Sequence, residues 1–188
     1  LSRGRRVMLL VLVSMASSMI YLPPYMKIVF YDPLMKALNC TNADLGVLMS
    51  AYATTALICY LPSGIVADKF RMRTLNAAGL ISTAALTFVF ALLPSVGTLM
   101  LVFVAMGVTT ILGWWGVRFK LVRLISEEES YGRNIGISDG IYGAVGLVCG
   151  FLQMGIIGLF GKQFDLAIST TLAVIGGLLL LMGILSIF

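Results

Sequence analysis

Histidine is absent from the 188 residues, and charged residues make up only 11% of them. Without an imidazole the chain lacks the commonest general base and the commonest metal ligand, which argues against hydrolytic and metal chemistry and gives no cofactor to expect. The three cysteines, Cys40, Cys59 and Cys149, show no CxxC or CxxxxC spacing, and two of them lie inside apolar runs. Neither a disulfide framework nor a metal site follows. A soluble domain carries roughly 25% charged residues. This chain has less than half that, with 60% hydrophobic residues and a mean hydropathy of +1.02. The composition is that of an integral membrane protein whose partner is the lipid bilayer. A net charge of +5 does not point to nucleic acid, because the cations are scattered between apolar segments.

Crossing a hydrocarbon core of about 30 Å takes roughly 20 helical residues. Six apolar stretches qualify, at residues 7–31, 45–67, 75–93, 97–117, 135–160 and 166–188. The first is too long for the hydrophobic part of a signal peptide, has no small-residue cleavage site, and carries Pro23-Pro24 and Lys27 in its second half. Barrel strands would alternate apolar and polar residues, and these stretches are apolar on nearly every face. The expected architecture is therefore all-α, a polytopic bundle of six transmembrane helices.

Short connections let Lys and Arg report orientation. Arg3, Arg5, Arg6, Lys69, Arg71, Arg73, Arg118, Lys120, Arg123 and Arg133 fall on the side of the N-terminus, against Lys36 and Lys162 on the other. This asymmetry predicts a cytoplasmic N-terminus. Between spans 1 and 2, Thr41 reads as a helix cap with Asp44 completing a capping box. Asn39-Cys40-Thr41 has the form of a glycosylation sequon but is read here as turn chemistry.

The two halves of the chain echo each other. Gly64-x-x-x-Asp68, Leu75 and Gly79 recur 97 residues later as Gly161-x-x-x-Asp165, Leu172 and Gly176, and Gly46 maps onto Gly143. Three spans are an odd number, so such a 3+3 repeat is inverted in the membrane, the pattern of secondary transporters.

The loop after span 2 reads Gly64-Ile-Val-Ala-Asp68-Lys69-Phe70-Arg71-Met72-Arg73-Thr74-Leu75. It resembles the signature G-x-x-x-D-[RK]-x-G-[RK]-[RK]-x-x-[LV] between helices 2 and 3 of the major facilitator superfamily. Gly64, Asp68, Lys69 and Arg73 match, whereas Arg71 replaces a glycine and Met72 a basic residue. A basic loop is also an ordinary topological anchor. The resemblance extends over the whole chain and implies half of a twelve-helix carrier, whose partner would be a C-terminal six-helix half. It implies that helices 1 and 4 line a central cavity, 2 and 5 face the other half, and 3 and 6 face lipid. It further implies a gating loop of Gly64, Asp68, Lys69, Arg71 and Arg73, with Asp68 pairing with cations of its own loop and with the second half. The stretch from Gly113-Trp114-Trp115-Gly116-Val117-Arg118 to Glu127-Glu128-Glu129-Ser130-Tyr131-Gly132-Arg133 is similar to the sugar-phosphate and organic-anion permease branch. Residence in a bacterial inner membrane is the expected setting.

At about 100 degrees per residue, Ser14, Ser17, Ser18, Tyr21 and Tyr25 fall within roughly 80 degrees of one another on span 1. A hydroxyl stripe must face protein or a wet cavity; the serines read as interhelical glue, the tyrosines as cavity residues. Pro23-Pro24 should kink or break this span. On span 4, Gly107, Thr110, Trp114 and Arg118 share a face, with Trp114 and Arg118 expected to stack. Arg118 has two readings, a snorkelling anchor or an anion clamp. On span 5, Gly136, Gly140, Gly143, Gly146 and Gly150 form a packing stripe, here taken as the face toward the other half. Beside it lie Asp139, Tyr142 and Gln153. Asp139 reads as a coupling site or as a structural partner for Arg118, Arg133 or Lys120.

The candidate substrate-binding set is thus Tyr21, Tyr25, Lys27, Thr110, Trp114, Arg118, Asp139, Tyr142 and Gln153. The best expectation is a secondary carrier of a small organic anion such as a sugar phosphate or carboxylate, because Lys27 and Arg118 outnumber Asp139. A carrier of neutral sugars or drugs and a non-transporting scaffold are the alternatives. An intramembrane enzyme is disfavoured, since no span holds paired aspartates or a serine with a base.

Overall fold

A computed structural model describes residues 3–187 and shows helices throughout, with no strand among the described residues. Span 1 is α1 (Arg3–Ile20) followed by α2 (Leu22–Val29), bent by 60°. The break falls at Tyr21, two residues before the first of the prolines expected to cause it. Pro23 and Pro24 instead occupy the first turn of α2, where a missing N–H leaves no hydrogen bond unmade. A short helix not foreseen in the sequence, α3 (Tyr31–Leu38), follows and packs against span 6. It ends at Asn39 in the left-handed conformation, φ 46°, which asparagine tolerates.

Span 2 is α4 (Asn42–Lys69), and its capping box is formed as expected. The Asp44 N–H donates to Thr41 Oγ1 at 3.3 Å, and the Thr41 N–H donates to Asp44 Oδ2 at 2.8 Å. Span 3 is α5 (Met72–Ala91), span 5 is α8 (Tyr131–Phe160), and span 6 is α9 (Phe164–Leu185). The expected end of span 6 at Phe188 lies outside the described residues.

Span 4 departs most from expectation. It runs unbroken over Val96–Ile125, as α6 (Val96–Gly107), a π-helix (Val108–Trp115) and α7 (Gly116–Ile125). Lys120 and Arg123, read above as loop cations, therefore sit with Arg118 on the last turns of a helix. A short 3₁₀ turn, Glu128–Ser130, leads into α8.

Span 1 packs on span 5, span 2 on span 4, and span 3 on span 6. Exchanging the first three spans for the last three maps these pairings onto themselves, as an inverted repeat requires. The closest crossings use glycines of span 4. A Cβ on Gly116 would lie 2.6 Å from the Ser63 carbonyl oxygen, and one on Gly79 would lie 3.0 Å from that of Gly113. Spans 3 and 6 form the back of the bundle. Span 5 is the least enclosed: of α8 only Ser138, Cys149 and Gln153 are buried. Over Gly136, Gly140, Gly143 and Gly150 there is open space where a side chain would stand, while Gly146 meets Ser18 Oγ at 3.3 Å.

Candidate solute cavity

The open face of the bundle contains a cavity of about 510 Å³, bounded by span 1, Tyr60, Trp115 and α8. Its walls bring together four of the expected residues, Tyr21, Tyr25, Tyr142 and Gln153, with Ser18 and the glycines Gly143, Gly146 and Gly150. The absence of side chains at these glycines creates the room. Gln153 is 5% exposed and supplies an amide to an otherwise aromatic and apolar surface.

Behind this wall lies a hydroxyl network. Thr110 donates to the Met106 carbonyl at 2.7 Å, so its proton is committed and the Tyr52 phenol, 3.0 Å away, is the donor to Thr110 Oγ1. Tyr21 donates to the Thr110 carbonyl at 3.4 Å. Thr110 is wholly buried and positions tyrosines rather than facing the cavity. Trp114 is also wholly buried, its indole N–H donating to Ser17 Oγ at 3.1 Å. The adjacent Trp115 faces the cavity instead, edge-on to Tyr60 with ring centroids 5.3 Å apart.

Arg118 is 5% exposed, which excludes the snorkelling arrangement. It does not stack on Trp114. Its guanidinium lies over the rings of Tyr142 and Phe119, at 5.5 and 5.4 Å, because the π-helix turns more residues per turn than the α-helical spacing assumes. One terminal nitrogen pairs with Asp139 and reaches Ser138 Oγ at 3.4 Å. Ser138 and Ser14 hydroxyls are 2.9 Å apart, joining span 1 to the same cluster. Of the partners open to Asp139, Arg118 is the one it takes, and Asp139's side chain remains 57% exposed. Arg118 Nε is buried with no hydrogen-bond partner among the described residues. Lys27 is set apart from this group: its ammonium approaches the Leu45 carbonyl at 3.5 Å, and it does not line the cavity.

At the basic end, Asp68 does not pair with Lys69, Arg71 or Arg73. It bonds Lys120 of span 4 at 2.8 Å, and the same ammonium donates to the Ala67 carbonyl at 2.9 Å. The sequence reading missed this pairing because it placed Lys120 in a loop. It also missed Tyr52, Tyr60 and Trp115; the spacing of Tyr52 and Tyr60 by two turns along span 2 was the available signal.

Six spans with a symmetric pairing and a cavity on an open face fit more than one membrane family, and comparison with known families decides between them. Residues 7–188 match the Major Facilitator Superfamily. The chain belongs to that superfamily. The resemblance drawn from the loop signature is thereby borne out, as are membrane residence and the helical class. Among its relatives, this superfamily member is 26% identical over 184 residues to inner membrane protein YqcE of Escherichia coli (strain K12), an overlap of 98% of this chain and 43% of that protein. It is 27% identical over 151 residues to inner membrane protein YihN of the same organism, covering 80% of this chain and 36% of that protein. This major facilitator chain spans less than half the length of either relative.

Proposed function

We propose that the chain is the N-terminal bundle of a twelve-helix secondary carrier that moves a small organic anion by alternating access, a sugar phosphate or sugar acid fitting best. The observation that carries the reading is Arg118, a buried guanidinium whose Nε–H has no partner among the described residues, one contact behind the cavity wall. Aromatic rings and the Gln153 amide suit a sugar-sized body in about 510 Å³, within the usual range for small-ligand sites. The acid group then takes Arg118 by displacing the half-exposed Asp139 carboxylate, and a planar fork matches phosphate or carboxylate. A neutral sugar is the second reading, supported by a cavity lining in this half that carries no charged residue.

The test is thermal stabilisation of purified full-length carrier by sugar phosphates, sugar acids, neutral sugars and nucleosides. The anion reading expects stabilisation by acids and loss of it in Arg118→Gln. Stabilisation by neutral compounds alone overturns it in favour of the second reading.

A further inference from the structure

A second, larger cavity opens on the opposite side of α1 from the hydroxyl stripe. It has a volume of about 780 Å³ and lies between spans 1, 3 and 6. Leu12, Leu178, Leu181 and Leu185 on its walls are exposed, so it opens sideways toward lipid rather than toward the solute cavity. Along α1 it extends from Leu9 to Met19. At 1.5 Å per residue that is about 15 Å, half the hydrocarbon thickness and hence the depth of one leaflet.

Its polar groups are gathered at one end. Arg73, Asn76 and Ser186 stand at the basic end, and everything deeper is apolar. Arg73 makes no ion pair among the described residues. Asn76 Oδ1 is buried and has no hydrogen-bond partner among the described residues, an arrangement that is costly inside a membrane protein and calls for a donor. A cation and an unsatisfied acceptor at the mouth of a leaflet-deep apolar slot match one molecule: an amphiphile with a phosphate, a neighbouring O–H donor and an acyl chain.

We propose that this crevice is a binding site for an anionic phospholipid whose headgroup carries hydroxyls, phosphatidylglycerol being the type. The phosphodiester meets the exposed Arg73 guanidinium, a glycerol hydroxyl donates to Asn76 Oδ1 as the amide turns toward the crevice, and one acyl chain lies along Leu9, Leu12 and Leu181. Phosphatidylcholine offers the phosphate but no donor, because its quaternary ammonium carries no N–H.

The experiment uses full-length carrier in detergent, supplemented with phosphatidylglycerol or phosphatidylcholine of identical acyl chains. Phosphatidylglycerol should raise the unfolding temperature by a few degrees more than phosphatidylcholine. That excess should shrink by at least half in Arg73→Gln and in Asn76→Leu, and persist in Arg71→Gln, an exposed cation outside the crevice. Equal shifts from the two lipids, or an excess that survives Arg73→Gln with Asn76→Leu, would overturn the site. If the substitutions impair folding, the unaltered protein answers through Trp114, which lines the crevice. Acyl-brominated phosphatidylglycerol should quench it more than brominated phosphatidylcholine at equal mole fraction. Equal quenching rejects the proposal.

Discussion

At the scale of single residues, the cavity turns on a competition for Arg118. Its partner Asp139 is a carboxylate of the protein, more than half exposed, where an incoming acid would have to bind. Removing Arg118 removes a charged hydrogen bond, about 1.5 to 3 kcal/mol, or roughly ten- to a hundredfold in apparent affinity for an anionic solute. Arg118→Gln should show that loss by ligand-dependent thermal shift, and Arg118→Lys should keep part of the binding, because it retains charge without the fork. Asp139→Asn acts in the other direction. It withdraws the competing carboxylate, so affinity for the anion should rise on the order of tenfold, about 1.4 kcal/mol, while a neutral solute should bind as before. If Asp139→Asn weakens the anion, the carboxylate is orienting the guanidinium and the competition is not there.

At the scale of helices, span 4 is the element that sets the bundle's dimensions. Its glycines let spans 2 and 3 approach to backbone contact, at Gly116 against Ser63 and at Gly113 against Gly79. Gly116→Ala should therefore destabilise the purified protein by about 1 to 3 kcal/mol, as overpacking does. Gly177→Ala, on the exposed side of α9 with nothing within 4 Å, should be neutral or slightly stabilising through better helix propensity. Equal thermal unfolding of the two variants would contradict the tight crossing. The span also explains what the amino-acid pattern disclosed and what it hid. Thr41 and Asp44 were readable because a cap needs only local spacing. Tyr21, Tyr25, Tyr142 and Gln153 were readable because they follow the α-helical period. Trp115 and the stack of Arg118 on Tyr142 were not, since a π-helix shifts the register of everything after Val108 and leaves no compositional mark. Lys27 was grouped with the cavity for its charge, although at about 100 degrees per residue it already falls off the face of Tyr21 and Tyr25, and of the two α2 residues it is Tyr25 that lines the cavity.

At the scale of the whole molecule, the bundle is finished on one side and open on the other. Spans 3 and 6 close the back, while α8 presents glycines and the exposed apolar residues Leu147, Phe151 and Leu152 with no counterpart among the described residues. On the proposed carrier reading, two features of this side act at different moments. The Asp68–Lys120 pair ties span 2 to span 4 at the basic end, so Asp68→Asn should slow uptake by the reconstituted full-length carrier with little effect on folding. Restoration by the exchange Asp68→Lys with Lys120→Asp would show that the pair itself matters, and unchanged transport in Asp68→Asn would remove the gating role. The glycine stripe gives the sharper test, because two surroundings predict opposite results for one substitution. If α8 faces lipid, a leucine at Gly140 or Gly143 adds apolar surface to an apolar solvent, and both insertion and transport stay intact. If it faces the second half, the added side chain occupies the space through which that half's backbone slides. The expectation is normal membrane insertion and purification yield for Gly140→Leu and Gly143→Leu with transport reduced severalfold or more. An alanine at the same positions should lie between leucine and glycine, since only the size of the side chain decides how closely the two halves approach.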